Sequence, residues 1–189
     1  MSAPSALAEV RLQVAPATPE NIEPFGRLLS RHAGASRLDL GYYSGAVVTS
    51  RPVDFQCASA TDISLASLRR RPLQVRYLER HFQHTQTFIP LGGKPWLAVL
   101  APPGPGDMPD LGSARAFRFA GDMGLALHCG TWHEFPFPLE DDTDMVVLLS
   151  AQTTEDLRHR ATNGIEAFGP DLDKKDMTLR AGVVLALDL

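Results

Sequence analysis

What most constrains this chain is a series of short runs in which apolar and polar residues alternate, many of them set beside proline or glycine. Val10-Arg11-Leu12-Gln13-Val14, Val53-Asp54-Phe55-Gln56-Cys57-Ala58 and Leu73-Gln74-Val75-Arg76-Tyr77-Leu78-Glu79-Arg80-His81 all show it. Their period of two lets a strand turn one face to a core and the other to water. Thr85-Gln86-Thr87-Phe88-Ile89-Pro90-Leu91 predicts a further strand. Gly92-Gly93-Lys94 then makes a tight turn into an apolar strand, Pro95-Trp96-Leu97-Ala98-Val99-Leu100. Shorter strands are predicted at 116–119 and 124–128, a strongly apolar one at 144–150 and a last one at 181–187. Residues 41–48 suit a short strand or a turn.

Helix signals are few. Thr18 is a candidate N-cap with Pro19 at the first helical position, predicting a short helix over 19–30. A second short helix is expected to begin within 154–160. The Pro/Gly-dense stretch 101–106 reads as a loop, because the strand pattern soon resumes. Many short strands with one or two short helices mean a sandwich or a closed barrel.

A chain of 189 residues suits one domain, here a loose leader over 1–9 followed by a single barrel domain over 10–189. Its apolar fraction of 44% is enough for a core. A net charge of −4 argues against a general nucleic-acid binder, which needs a basic field to displace counterions. The densest basic run, Arg69-Arg70-Arg71, reads as a solvated loop or helix end, with a phosphate patch as the alternative. Cys57 and Cys129 form neither a CxxC pair nor a zinc-finger spacing. Without a signal-peptide pattern, they point to a reducing cytoplasm. No run approaches the roughly 18 to 20 apolar residues of a membrane span.

Four of the six histidines fall in two segments, Glu79-Arg80-His81-Phe82-Gln83-His84-Thr85-Gln86 and His128-Cys129-Gly130-Thr131-Trp132-His133-Glu134. Histidine titrates near neutrality and is the commonest metal ligand. Each position also has a plainer reading. His84 suits an exposed loop, His128 a satisfied strand-end histidine, Trp132 packing in the core or at a barrel mouth, and Cys129 an inert thiol. His32 and His159 read as surface residues, and Glu140-Asp141-Asp142 with Asp144 as a solvated acidic turn.

Cupin barrels place one cluster of histidines with a carboxylate or amide at a strand pair, and a second around a glycine turn that ends in histidine. His81, His84 and Gln86 resemble the first cluster; His128, Gly130 and His133 resemble the second. Gln86 stands where the metal-binding pattern usually has Glu, and an amide is the weaker ligand. More narrowly, three ordered features resemble the ureidoglycolate lyase family: Glu79-Arg80-His81 leading to Gln86 and Phe88-Ile89-Pro90, a short strand running into Trp132-His133, and Asp144 heading an apolar strand. The resemblance covers about residues 10–150. His84 departs from it, falling where the family usually has a small residue. Leu149-Ser150-Ala151-Gln152 departs too, replacing a basic, glycine-containing turn.

The resemblance implies a mainly β, cupin-like barrel of the double-stranded β-helix or jelly-roll type, working as a homodimer. It implies a carbon–nitrogen lyase of the amidine-lyase type that splits ureidoglycolate into glyoxylate and urea during allantoin and purine degradation. Such a reaction needs a general base, a general acid and a cradle for the carboxylate. His133 is the candidate base or metal ligand, and His81 its partner. Glu79, two residues before His81 in an extended run, shares its face. Gln86 can hold the urea amide, and Arg80 is the candidate carboxylate clamp, although alternation turns it away from His81. His128 and Trp132 complete the substrate-binding set. A divalent metal on His81, His84, Gln86, His128 and His133 is the cofactor expectation, with no organic cofactor. The expected partner is a small acid, with no nucleic acid or membrane. Two alternatives stand beside this: a relative acting on another small hydroxy or keto acid, and a non-catalytic cupin-like binding module.

Overall fold

The computed structural model describes residues 7–34, 36–38, 41–159 and 165–189. The fold is mainly β, consistent with the cupin-like barrel expected. A ten-stranded sheet runs in the order Ala167–Gly169, Leu172–Asp176, Tyr77–Arg80, Trp132–His133, Gly93–Ala101, Arg115–Gly121, Ala8–Pro16, Val183–Asp188, Gln74–Val75, with Phe137–Pro138 also pairing to Gly93–Ala101. A five-stranded sheet has the order Gly26–Leu29, Gly124–Leu127, Thr87–Pro90, Thr143–Ser150, Thr61–Leu68.

The Gly93–Ala101 strand shows why the apolar runs are continuous. Trp96, Ala98 and Leu100 join one buried cluster with Phe88, Phe119 and Leu125. Leu97, Val99 and Ala101 join another with Trp132, Phe137 and Leu185. Both faces of this strand are covered, so no polar side remains to alternate.

Several expectations are corrected. The helix over 19–30 is a single turn, Pro19–Ile22, closed by a reciprocal capping box between Thr18 and Asn21. The chain then becomes the strand Gly26–Leu29, paired to Gly124–Leu127. A side chain at Gly26 would run into the Ala126 carbonyl, so glycine permits that pairing. Residues 53–58 form no strand, only an isolated bridge between Cys57 and His84. Residues 41–48 hold a short 3-10 turn, Tyr43–Gly45. The first strand already includes Ala8 and Glu9, which were expected in the leader; residues 1–6 lie outside the described residues. Thr61–Leu68 was not anticipated although Asp62-Ile63-Ser64-Leu65 alternates, and it turns its apolar Ile63 and Leu65 outward, 74% and 66% exposed. The hairpin Ala167–Gly169 and Leu172–Asp176 was also not anticipated, because its second strand is mostly charged. No helix among the described residues is long and apolar enough to cross a membrane.

Candidate active site

Three neighbouring strands set the site. His133 on Trp132–His133 is registered opposite Glu79 on Tyr77–Arg80. Lys174 on Leu172–Asp176 is registered opposite Glu79 from the other side. Directly opposed residues share a sheet face, so His133, Glu79 and Lys174 form one row. His81, two residues beyond Glu79, returns to that face.

Glu79 is the hub. Its Oε1 lies 3.6 Å from His133 Nε2 and 3.9 Å from His81 Nε2, and its Oε2 accepts a 2.7 Å hydrogen bond from Lys174 Nζ. Burial alone would raise the Glu79 pKa. The charge of Lys174, with His133 and His81, brings it down to about 2. His133 is pushed down to about 3, chiefly by burial, and burial also lowers His81. At neutral pH the site therefore holds a carboxylate, an ammonium and two neutral imidazoles. His81 Nδ1 faces the Asp171 carbonyl at 3.1 Å, and His133 Nδ1 faces the Thr131 carbonyl at 3.2 Å. Each Nδ1 carries the proton that these carbonyls accept, so each Nε2 presents a lone pair.

The wall of a cavity of about 230 Å³ includes Glu79, Gln86, Thr153 and Lys174 as its polar part and Val147 and Leu149 as apolar floor. Gln86 Oε1 is buried without a hydrogen-bond partner. His81 and His133 stand behind Glu79, and their Nε2 atoms are likewise buried and unpartnered. Larger, more open hollows lie elsewhere; one of about 540 Å³ is lined by Arg70, Arg71 and Leu189. Arg71 there is structural, bonding the Phe135 and Pro136 carbonyls and covering the Phe137 ring.

Among the described residues, the group of His, Cys, Asp and Glu able to hold a metal is Glu79, His81 and His133, whose ligand atoms lie within 4.8 Å of one another. Two neutral imidazoles and a carboxylate suit a divalent first-row ion, and the orphaned Nε2 atoms are what such an ion would satisfy. The five-residue metal set is thereby narrowed. His84 is tied through Nδ1 to Asp171 Oδ2 at 2.8 Å and keeps a buried, unpartnered Nε2, but it stands outside the group of mutually close ligand atoms. His128 is the satisfied strand-end histidine, with Nε2 on the Glu23 carbonyl at 3.1 Å. Gln86 contributes only an amide oxygen on the cavity wall.

The substrate-binding set is corrected further. Arg80 points to the opposite face, with Nη2 on Asp173 at 3.3 Å, Nη1 on the Gly104 carbonyl and the guanidinium over Trp132. The reason is alternation: a residue between Glu79 and His81 cannot share their side. Trp132 is buried beneath Arg80 as core. Burial chiefly raises the Cys129 thiol, in keeping with an inert cysteine.

Sequence reading missed Asp171 and Lys174. Asp171 accepts from the backbone N–H of Phe82 and Gln83, from His84 and from Ser150. Burial alone would raise its pKa, but these donors hold the carboxyl well below the usual carboxylate range.

Curled sheets around a buried carboxylate and two histidines mark this as a cupin-like β-barrel protein. The chain belongs to the ureidoglycolate lyase family, whose model matches residues 9–166. It is 36% identical over 144 residues to a ureidoglycolate lyase of Pseudomonas entomophila (strain L48), covering 72% of this chain and 83% of that protein. A ureidoglycolate lyase of Pseudomonas aeruginosa (strain UCBPP-PA14) gives 36% over 144 residues, covering 72% and 82%. One from Pseudomonas putida (strain GB-1) gives 42% over 102 residues, covering 54% and 58%.

Proposed function

We propose that this chain cleaves ureidoglycolate to glyoxylate and urea, as a carbon–nitrogen lyase of the amidine-lyase type in allantoin and purine degradation in the cytoplasm. The observation that carries the reading is Glu79, an ionised carboxylate on the cavity wall, backed by two neutral histidines and flanked by an ammonium. Family membership supplies the substrate.

In this reading the substrate hydroxyl gives its proton to the Glu79 carboxylate, its electron pair closes the aldehyde carbonyl, and the C–N bond breaks. The same carboxyl, now an acid, returns the proton to the departing urea nitrogen. His133 Nε2 and His81 Nε2, 3.6 and 3.9 Å from Oε1, present lone pairs that favour the protonated carboxyl once it has taken the substrate proton, while the Lys174 ammonium favours the carboxylate. Gln86 Oε1 accepts an N–H from the urea amide. A divalent ion held by Glu79, His81 and His133 would lower the pKa of the substrate hydroxyl. The apolar floor of Val147 and Leu149 limits water at the reacting bond.

The test is glyoxylate release from ureidoglycolate by the purified protein, with and without added divalent metal. Release above the spontaneous rate is expected. Its absence under every metal condition sinks the reading. His133→Ala should lower kcat/KM by about 100-fold or more, and full activity would remove His133 from the site.

A second reading, a relative acting on another small hydroxy or keto acid, has its own observation. Two places where the sequence departs from the family pattern, His84 and Ser150, converge on one carboxylate, Asp171, which lies beside His81 and within a third departure, the longer tail after Glu155. A panel of such acids assayed in parallel separates the two readings. Tight binding without turnover of any acid would favour a binding module.

A further inference from the structure

A small hydroxy acid carries a carboxylate that must be neutralised once it leaves water. The residue whose chemistry best suits that task, Arg80, is unavailable: its guanidinium lies on the far face of its strand, committed to Asp173 and Gly104. Among the described residues that line the cavity, Lys174 is the cationic one. We infer that Lys174 is the carboxylate anchor, its ammonium gripping a small α-hydroxy or α-keto acid from the side opposite Glu79.

Three observations carry this. The first is capacity. An ammonium has three N–H donors, and Lys174 gives one, to Glu79 Oε2 at 2.7 Å. Its side chain is 25% exposed, against 8% for Glu79, so Lys174 is the more accessible member of the pair. The second is position. Register places Lys174 opposite Glu79 on the same sheet face, so a carboxylate on the ammonium brings the neighbouring hydroxyl carbon towards Glu79. The third is complementarity. Gln86 Oε1, buried and unpartnered, stands on the same wall and calls for an N–H donor. The cavity thus offers a cation for an anionic end and an acceptor for an amide end. Lys174 lies beyond the stretch 9–166 that matches the family, so family membership does not assign it.

The inference rests on the lyase reading only for which acid is bound. Glyoxylate therefore serves as the binding probe, with its neutral carboxamide as control, both followed by calorimetry on the full-length protein. Lys174→Gln should weaken glyoxylate binding by about tenfold or more, as expected when a charge-assisted hydrogen bond is lost. It should leave carboxamide binding within a few-fold, while Lys174→Arg keeps most of the affinity. With ureidoglycolate, the loss should fall mainly on KM. Because Lys174→Gln leaves Glu79 unpaired, the fold is checked by thermal unfolding. If it fails to fold, Glu79→Gln is compared with Glu79→Gln/Lys174→Met; only the double variant should lose glyoxylate. Wild-type affinity in Lys174→Gln, equal loss of both probes, or no glyoxylate binding by the wild type each overturns the inference. Absence of ureidoglycolate turnover with intact, Lys174-dependent glyoxylate binding would instead overturn the lyase reading alone.

Discussion

Glu79 works as it does because its neighbours differ in charge at neutral pH. Lys174 is cationic, whereas burial holds His133 neutral down to about 3, against an ordinary imidazole value of 6.5. That difference links the site to stability. Between those two values the unfolded chain binds a proton at His133 and the folded chain does not, so stability falls as pH falls. Glu79, at about 2 against 4.5, acts in the same direction lower down. The metal-free protein should therefore show a thermal midpoint that drops from pH 7 to pH 5, with a shallower drop in His133→Gln. Equal slopes would remove His133 from the acid-sensitive groups. At this scale the sequence was informative about near neighbours. Glu79 and His81 lie two residues apart in a run whose alternation shows their common side, Gln86 follows in the same short segment, and His133 ends a recognisable turn. Lys174 carries no such mark: it sits 95 residues from Glu79, and only strand register joins them.

The element that holds the site is the hairpin of Ala167–Gly169 and Leu172–Asp176, with Asp171 at its turn. Asp171 ties the loop after Tyr77–Arg80 to Ser150 at the start of the helix Ala151–Asp156, and its own carbonyl orients His81. Asp171→Ala would strand two backbone N–H groups, the His84 ring and a hydroxyl. A loss of about 3 kcal/mol or more is expected, since each buried orphan costs on the order of 1 to 3 kcal/mol. Denaturant titration measures it, and a loss under about 1 kcal/mol would show that Asp171 is not the tie described. Strands with a buried, alternating face were legible, as at Thr143–Ser150. The hairpin was not, because charged residues that pair across strands look like surface until their partners are known. The short strand Gly26–Leu29 was mistaken for helix because the capping signal marks where a helix begins and says little about its length.

For the whole molecule we propose a homodimer. The supporting observation is the outer side of Thr61–Leu68, an edge strand on which Ile63 and Leu65 are exposed, with Ile89 at 38% nearby in the same sheet. An exposed apolar edge is a liability unless covered, and a second copy presents the same edge for twofold pairing. Sedimentation should find a dimer, and Ile63→Lys/Leu65→Lys should yield a folded monomer. A wild-type monomer at micromolar concentration ends the proposal, and a dimer unchanged by the substitutions moves the interface elsewhere. The barrel class was legible from the number and brevity of the strands. Which strands adjoin was not, because sheet order depends on contacts between segments far apart in sequence.

The facing charges at the hairpin act as a spelling check on assembly. Glu79 meets Lys174 on one face while Arg80 meets Asp173 on the other. Sliding the strand by one residue one way sets Glu79 against Asp173; sliding it the other way sets Arg80 against Lys174. Each misalignment buries two like charges together. The site pair Glu79 and Lys174, with the pair on the far face, thus proofreads the alignment that brings the site's most distant member home.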